Sequence, residues 1–194
     1  MHVLTVFAHP NRASFAGAIL DAFMHGAEAA GHSLDLSDLY REDFNPVFSA
    51  KDFDFFRERD PMPEDVKAIH DRIVRAQALA FVFPVWWWSA PAILKGWFER
   101  VLINEFAWNW DGHKIVPGLS SKKVVMLCPA GSSTRTYDKR GYEDVLVRQV
   151  AQGIWNYCGL DDIETYLMPD IDASEESRRQ HLQTAERVGR KIGA

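Results

Sequence analysis

Three short runs of this chain are apolar almost throughout: Val3 to Ala8 (VLTVFA), Ala78 to Phe83 (ALAFVF) and Lys123 to Cys128 (KVVMLC). Runs of that length, rich in β-branched residues and bounded by turn signals, read as strands covered on both faces. Between them the pattern changes period. Ser14 is placed as an N-cap, with Phe15, Ile19, Ala22, Phe23 and Ala27 at helical spacing until Gly31. Glu64 to Ala76 repeats the pattern with Val66, Ile69, Ile73 and Val74 inward, and Pro91 opens a helix whose stripe is Ile93, Leu94, Trp97, Phe98, Val101 and Leu102. Gly141 to Tyr157, ended by Gly159, and Ser174 to Ile192 read as two further helices. His32 to Leu39 alternates as an outer strand does, and Asp162 to Leu167 supplies a fifth strand. Asn45 to Pro63 is an excursion with one short helix.

Five strands alternating with helices specify a doubly wound α/β domain over residues 1–194, a parallel sheet with helices on both faces and right-handed crossovers. A flavodoxin-like order, 2-1-3-4-5, suits the count. The ligand crevice then lies at the carboxyl ends of strands one, three and four. This selects three loops: HPNRAS, PVWWWSAP and PAGSST.

The net charge of −5 disfavours nucleic acid or an anionic membrane as partner, and basic residues occur only in short pairs such as Arg178-Arg179. No run reaches the ~20 apolar residues that span a bilayer, and MHVLTVFAHP lacks the features of a signal peptide. Cys128 and Cys158 have no metal-like spacing and read as buried thiols of a cytoplasmic protein.

Asn11, Arg12 and Ser14 lead into a helix start, where free N–H groups and the helix dipole favour an anion. Neither a G-x-G-x-x-G nor a P-loop motif is present, nor a G-x-S-x-G nucleophile elbow. Trp86, Trp87 and Trp88 cannot all pack inward. Placed after a buried strand, they suit a planar aromatic ligand, with main-chain groups lining the crevice. Gly131 allows close approach of the backbone, and Asp111 with His113 reads as a surface pair and not a metal site.

HPNRASF, DLYREDFNPVFSAKD, FPVWWWSAPAILKGWFERV and EFAW together resemble the flavin-dependent NAD(P)H:quinone oxidoreductases, the DT-diaphorase-like family, in its bacterial form. The resemblance implies a homodimer with FAD (or FMN) in each subunit and active sites at the interface. By motif, His9, Ser14, Phe15 and Ala16 would hold the phosphates and ribityl chain. Pro84, Val85, Trp86, Trp87 and Trp88 would flank the ring system, and Pro129, Ala130 and Gly131 its pyrimidine end. Arg178 and Leu182 align with adenosine-contacting positions. Trp108 and Trp110 would reach over the partner's flavin and, with Trp88, shape the substrate slot. The animal enzymes' tyrosine and histidine after the glycine turn have no strict counterpart. Their charge-stabilising role falls to Tyr137, Tyr142 or the backbone about Gly131, and the paired glycines read Ala130-Gly131.

The implied reaction is a two-electron, ping-pong reduction of quinones or similar aromatic acceptors by NADPH or NADH, with Arg12 or Arg135 as candidates for a 2′-phosphate. The alternative is a regulatory flavoprotein, an ancillary subunit of a potassium efflux system. A one-electron carrier suits the tryptophan-walled slot less well.

Overall fold

The computed structural model describes residues 1–57, 61–119 and 121–193. β1 (His2–Phe7) lies between β2 (Ser33–Asp38) and β3 (Ala78–Val82), and β6 (Lys123–Pro129) and β7 (Ile163–Met168) continue the sheet beyond β3. All four pairings are parallel, so the order is β2-β1-β3-β6-β7. This is the expected 2-1-3-4-5 order with a small hairpin left out of the sheet.

Alternation along β1 divides the core. Leu4, Val6 and Ala8 face α3 (Glu64–Arg75) and α4 (Ala92–Val101), together with Leu146, Val150 and Trp155. Val3 and Phe7 face α1 (Phe15–Ala29) and α7 (Glu175–Lys191). Trp97 and Trp155 are wholly enclosed on the first side, each stabilising by about 1.5–3 kcal/mol or more through the apolar area removed from water.

The excursion after β2 contains α2 (Ala50–Phe56), started by a capping box in which Ser49 and Asp52 satisfy each other's backbone N–H. Its anchor is the buried Arg100 of α4, which donates to Asp52 at 2.8 Å, Asp65 at 2.6 Å and the Asn45 carbonyl at 2.9 Å. Glu58, Arg59 and Asp60, within the same excursion, lie outside the described residues.

Several sequence expectations change. Val74 is exposed, because the neighbouring Ile73 takes the inward position and the next residue lies about 100° around the helix. Pro91 is the N-cap, not the first helical residue, and Leu102 is a half-buried C-cap. The PAGSST turn leads directly into α5 (Thr134–Arg140), capped by Ser133 Oγ accepting from the Thr136 N–H. Gly141, at φ +63°, separates α5 from α6 (Tyr142–Leu146), which continues as a π-helix over Val147–Asn156. A single α-helix over 141–157 is therefore replaced by two forms. The hairpin β4 (Trp108–Trp110) and β5 (Ile115–Pro117) has strands too short to show a period. Its turn uses Asp111, whose carboxylate accepts from the N–H groups of His113 and Lys114, in keeping with the surface reading of that pair.

Cys128 and Cys158 are buried free thiols, and burial pushes the Cys158 thiol up to about 11. No helix among the described residues is long and apolar enough to cross a membrane.

Candidate functional site

Beyond Phe7 the chain turns through a loop held by its own hydrogen bonds. Asn11 Oδ1 accepts from the Ala13 N–H at 3.0 Å, and Ser14, extended at φ −71° and ψ 170°, caps α1 by accepting from the Gly17 N–H at 3.2 Å. Arg12 is folded back. It donates to the Gly17 carbonyl and forms an ion pair with Asp21, and the bond to that carboxylate holds its guanidinium above the ordinary arginine range. Arg12 is thus paired with α1, whereas Arg135 in the first turn of α5 has no partner among the described residues. Gly17 has no room for a side chain, since a Cβ would lie 1.9 Å from the Arg12 carbonyl oxygen. Two donors are left over. Among the described residues no acceptor reaches the N–H groups of Phe15 and Ala16.

Those two residues and Ser14 border a cavity of about 480 Å³. His9 stands on its wall, with Nδ1 3.0 Å from the Asn11 N–H and its ring tilted against Trp86 at 5.7 Å. Pro84, Val85 and Trp86 form the next wall, carried by β3 and fixed where the Val85 N–H donates to the Pro129 carbonyl at 2.9 Å.

The triple tryptophan forms a tight turn. Trp86 and Ser89 exchange both backbone hydrogen bonds, at 3.0 and 3.1 Å, and the two central residues have φ +50° (Trp87) and +62° (Trp88). Positive φ at both central positions is the pattern of a type I′ turn, which ordinarily takes Asn-Gly. Left-handed backbone costs about 1–2 kcal/mol for each residue bearing a Cβ. Strain of this kind collects at functional sites. The turn is clamped from outside by Ser89 Oγ, which donates to Gln149 of the π-helix at 2.7 Å. Trp88 is held between Tyr142, 3.9 Å away between ring centroids, and Tyr137, edge-on at 5.5 Å. Among the described residues no ring contact or hydrogen bond holds the Trp87 side chain, which is 94% exposed.

A second cavity of about 330 Å³ lies under Trp87, Trp88 and Tyr137, and it shares Val85 and Gly131 with the first. The two spaces thus form one groove across the carboxyl ends of β1, β3 and β6. Burial pushes the Tyr137 hydroxyl up to about 12, so it remains a proton-bearing donor at neutral pH. Ala130 is itself buried, its N–H donating to the Met168 carbonyl at 2.8 Å, while Pro129 and Gly131 border the groove.

The segment after β7 closes the groove, and the sequence reading assigned nothing to it before Arg178. Asp170, at φ +59°, accepts from the backbone and hydroxyl of Thr134, and its N–H donates to the Ser132 carbonyl at 3.1 Å. Ile171 and Asp172 then border the larger cavity. Arg178 borders it too, its guanidinium 4.6 Å above the Phe15 ring. An aspartate two residues before the predicted start of a helix at Ser174 resembles any loop aspartate, and only the fold brings it to the groove. Leu182 packs into the α1 and α7 side of the core and does not border the cavity.

Trp108 and Trp110 lie away from the groove within this subunit. Trp108 donates through its indole N–H to the Leu102 carbonyl at 3.2 Å and borders a separate apolar recess of about 260 Å³ with Phe98, Ile154 and Tyr157. Trp110 projects from the hairpin, well exposed.

The chain and its fold have counterparts in known proteins. The profile of the family described as having the Flavodoxin-like fold matches residues 1–192. An uncharacterized NAD(P)H oxidoreductase of Haemophilus influenzae is 33% identical over 183 residues, covering 94% of this chain and 90% of that protein. The rat NAD(P)H dehydrogenase [quinone] 1 is 30% identical over 187 residues, covering 87% of this chain and 68% of the rat chain. Among solved structures, the NAD(P)H:quinone oxidoreductase from Methanothermobacter marburgensis superposes with a TM-score of 0.90 at 33% identity, covering 99% of this chain and 98% of that one.

Proposed function

Since the chain belongs to the family with the Flavodoxin-like fold, we propose that it is a flavin-dependent NAD(P)H:quinone oxidoreductase. The observation that carries the proposal is the continuous groove in which the strained tryptophan turn meets the free N–H groups of α1. The residues present fit a flavin at both ends. Two orphan donors at a helix start suit a phosphate, and a shelf of proline, valine and indole beside an open glycine suits a flat ring system.

His9, Ser14, Phe15 and Ala16 would bind the phosphate and ribityl portion. Pro84 to Trp88 would line one edge of the ring, with Pro129, Ala130 and Gly131 at its pyrimidine end and Arg178 toward an adenosine, Leu182 standing behind it in the core. The flavin, when bound, supplies hydride acceptance from NADPH or NADH and hydride donation to the acceptor. The protein's own work is positioning and electrostatics. Tyr137, protonated and fixed edge-on to Trp88, and the open backbone at Gly131 present donors where negative charge develops on the ring. Trp88, packed against Tyr137 and Tyr142, would give the slot one apolar wall. In a homodimer, Trp108 and Trp110 would cover the partner's slot, one position serving nicotinamide and quinone in turn.

Shared occupancy of one slot predicts ping-pong kinetics. Initial rates with NAD(P)H and a benzoquinone should give parallel double-reciprocal lines. A purified protein without flavin absorption after incubation with FAD and FMN would sink the reading, and intersecting lines would sink the shared slot.

A further inference from the structure

We infer that Gln149 is a positioning residue for the slot, holding the Trp86–Ser89 turn at the groove through the Ser89 hydroxyl; the inference rests on the flavin reading of the groove. The two backbone bonds between Trp86 and Ser89 close the turn on itself but leave its direction open. Among the described residues, two hydrogen bonds tie its ends to the rest of the chain. At the entry the Val85 N–H donates to the Pro129 carbonyl at 2.9 Å, and at the exit Ser89 Oγ donates to Gln149 Oε1 at 2.7 Å. The first is a backbone bond between the ends of β3 and β6 and needs no particular side chain. The second depends on one serine and one glutamine.

The helical segment that carries Gln149 meets the turn twice. α6 runs unbroken into the π-helix, so Tyr142 and Gln149, about two turns apart, stand on one rod. Tyr142 lies against the Trp88 ring at 3.9 Å, and Gln149 takes the Ser89 hydroxyl of the next residue. The same rod buries Leu146, Val150 and Trp155 in the core, which fixes it independently of the turn. The turn needs such a hold. Trp87 and Trp88 both have positive φ and neither is glycine, so a turn without its outer bond relaxes toward ordinary backbone. Those two indoles border the 330 Å³ end of the groove with Gly131 and Tyr137, whereas Phe15 and Ala16, with their free N–H groups, border the 480 Å³ end. Release of the turn therefore changes the space offered to nicotinamide or quinone and leaves the phosphate end as it is.

The test compares the full chain, flavin-loaded, with Gln149→Leu, Gln149→Glu, Ser89→Ala and the double variant Ser89→Ala/Gln149→Leu. Leucine removes the acceptor at similar volume, and a glutamate carboxylate still accepts from the hydroxyl. For Gln149→Leu and for Ser89→Ala, the KM for a benzoquinone should rise about fivefold, the factor one neutral hydrogen bond commonly carries, with kcat and the flavin dissociation constant within about twofold. Gln149→Glu should restore the wild-type KM, and the double variant should match the single ones. In the flavin-free chain, the indole N–H resonance of Trp88 should move in the leucine and alanine variants and return in the glutamate variant. An unchanged KM overturns the inference while leaving the flavin reading intact. So does a glutamate variant that behaves like leucine, additive effects of the two substitutions, or a fall in flavin binding in step with stability. An unmoved Trp88 resonance in the flavin-free Gln149→Leu chain overturns the hold on the turn by itself. Failure of the wild-type chain to bind FAD or FMN overturns the flavin reading and this inference with it.

Discussion

The loop after β1 and the loop after β3 both carry the chain from a buried parallel strand into a helix, and both border the same groove. The first is relaxed: Asn11 and Ser14 satisfy its turns, Arg12 is tied to Asp21, and its residues are free of positive φ. The second holds Trp87 and Trp88 in left-handed backbone, with one indole immobilised and the other in water. Stability and site geometry coincide in the first loop and oppose each other in the second. Binding of an anion needs only correctly aimed N–H groups, which a well-capped helix supplies without strain. A wall for a planar ring needs indoles placed where no regular element would hold them, and that placement carries a conformational cost.

Substitutions in the two loops can break this contrast. The largest expected effect is at Gly17→Ala, where the new Cβ collides with the Arg12 carbonyl oxygen. A loss of about 3 kcal/mol or more in urea unfolding is expected, with flavin retention falling in step. Ser14→Ala should cost about 1 kcal/mol and weaken flavin retention, again with both readouts moving together. In the second loop they should part. Trp87→Gly should raise stability by about 0.5–1 kcal/mol, through relief of the positive φ, while quinone turnover or flavin retention falls several-fold. Trp87→Ala, which keeps a Cβ, should lower flavin retention or turnover with little change in stability. Equal destabilisation by both Trp87 variants would remove the distinction between the loops.

The smallest effect concerns pH. The Tyr137 hydroxyl is neutral in the fold and its pKa is raised from 10 to about 12, so the unfolded chain loses that proton first. Its contribution to stability is then complete below about pH 10 and is lost as pH rises toward 12. A Tyr137→Phe variant should show a shallower decline over that window and no difference near pH 7.

Much of this arrangement was legible before any coordinates. VLTVFA, ALAFVF and KVVMLC read as strands covered on both faces, and stretches of helical period fall between them and the two outer strands. Given that order, the crevice follows from topology, and the three loops from the crevice. What escaped is instructive. The hairpin at Trp108–Trp110 and Ile115–Pro117 has three residues to a strand, below the length at which alternation can be seen. The switch from α to π geometry at Val147 leaves the apolar spacing nearly unchanged. Ile171 and Asp172 reach the groove only because Asp170 joins two loops that are distant in sequence. Arg12 looked available because its partner Asp21 lies nine residues away on a different turn of α1.

The exposure of Trp87 has an optical consequence. Of the seven tryptophans, Trp97 and Trp155 are sealed in the core, whereas Trp87 stands 94% in water at the rim of the groove. Iodide, which does not enter protein interiors, should quench Trp87 far more strongly than those two. Whatever covers the turn, whether a ring system or a second subunit, will shield that emission. The chain therefore carries an intrinsic fluorescent gauge of occupancy, readable without any label.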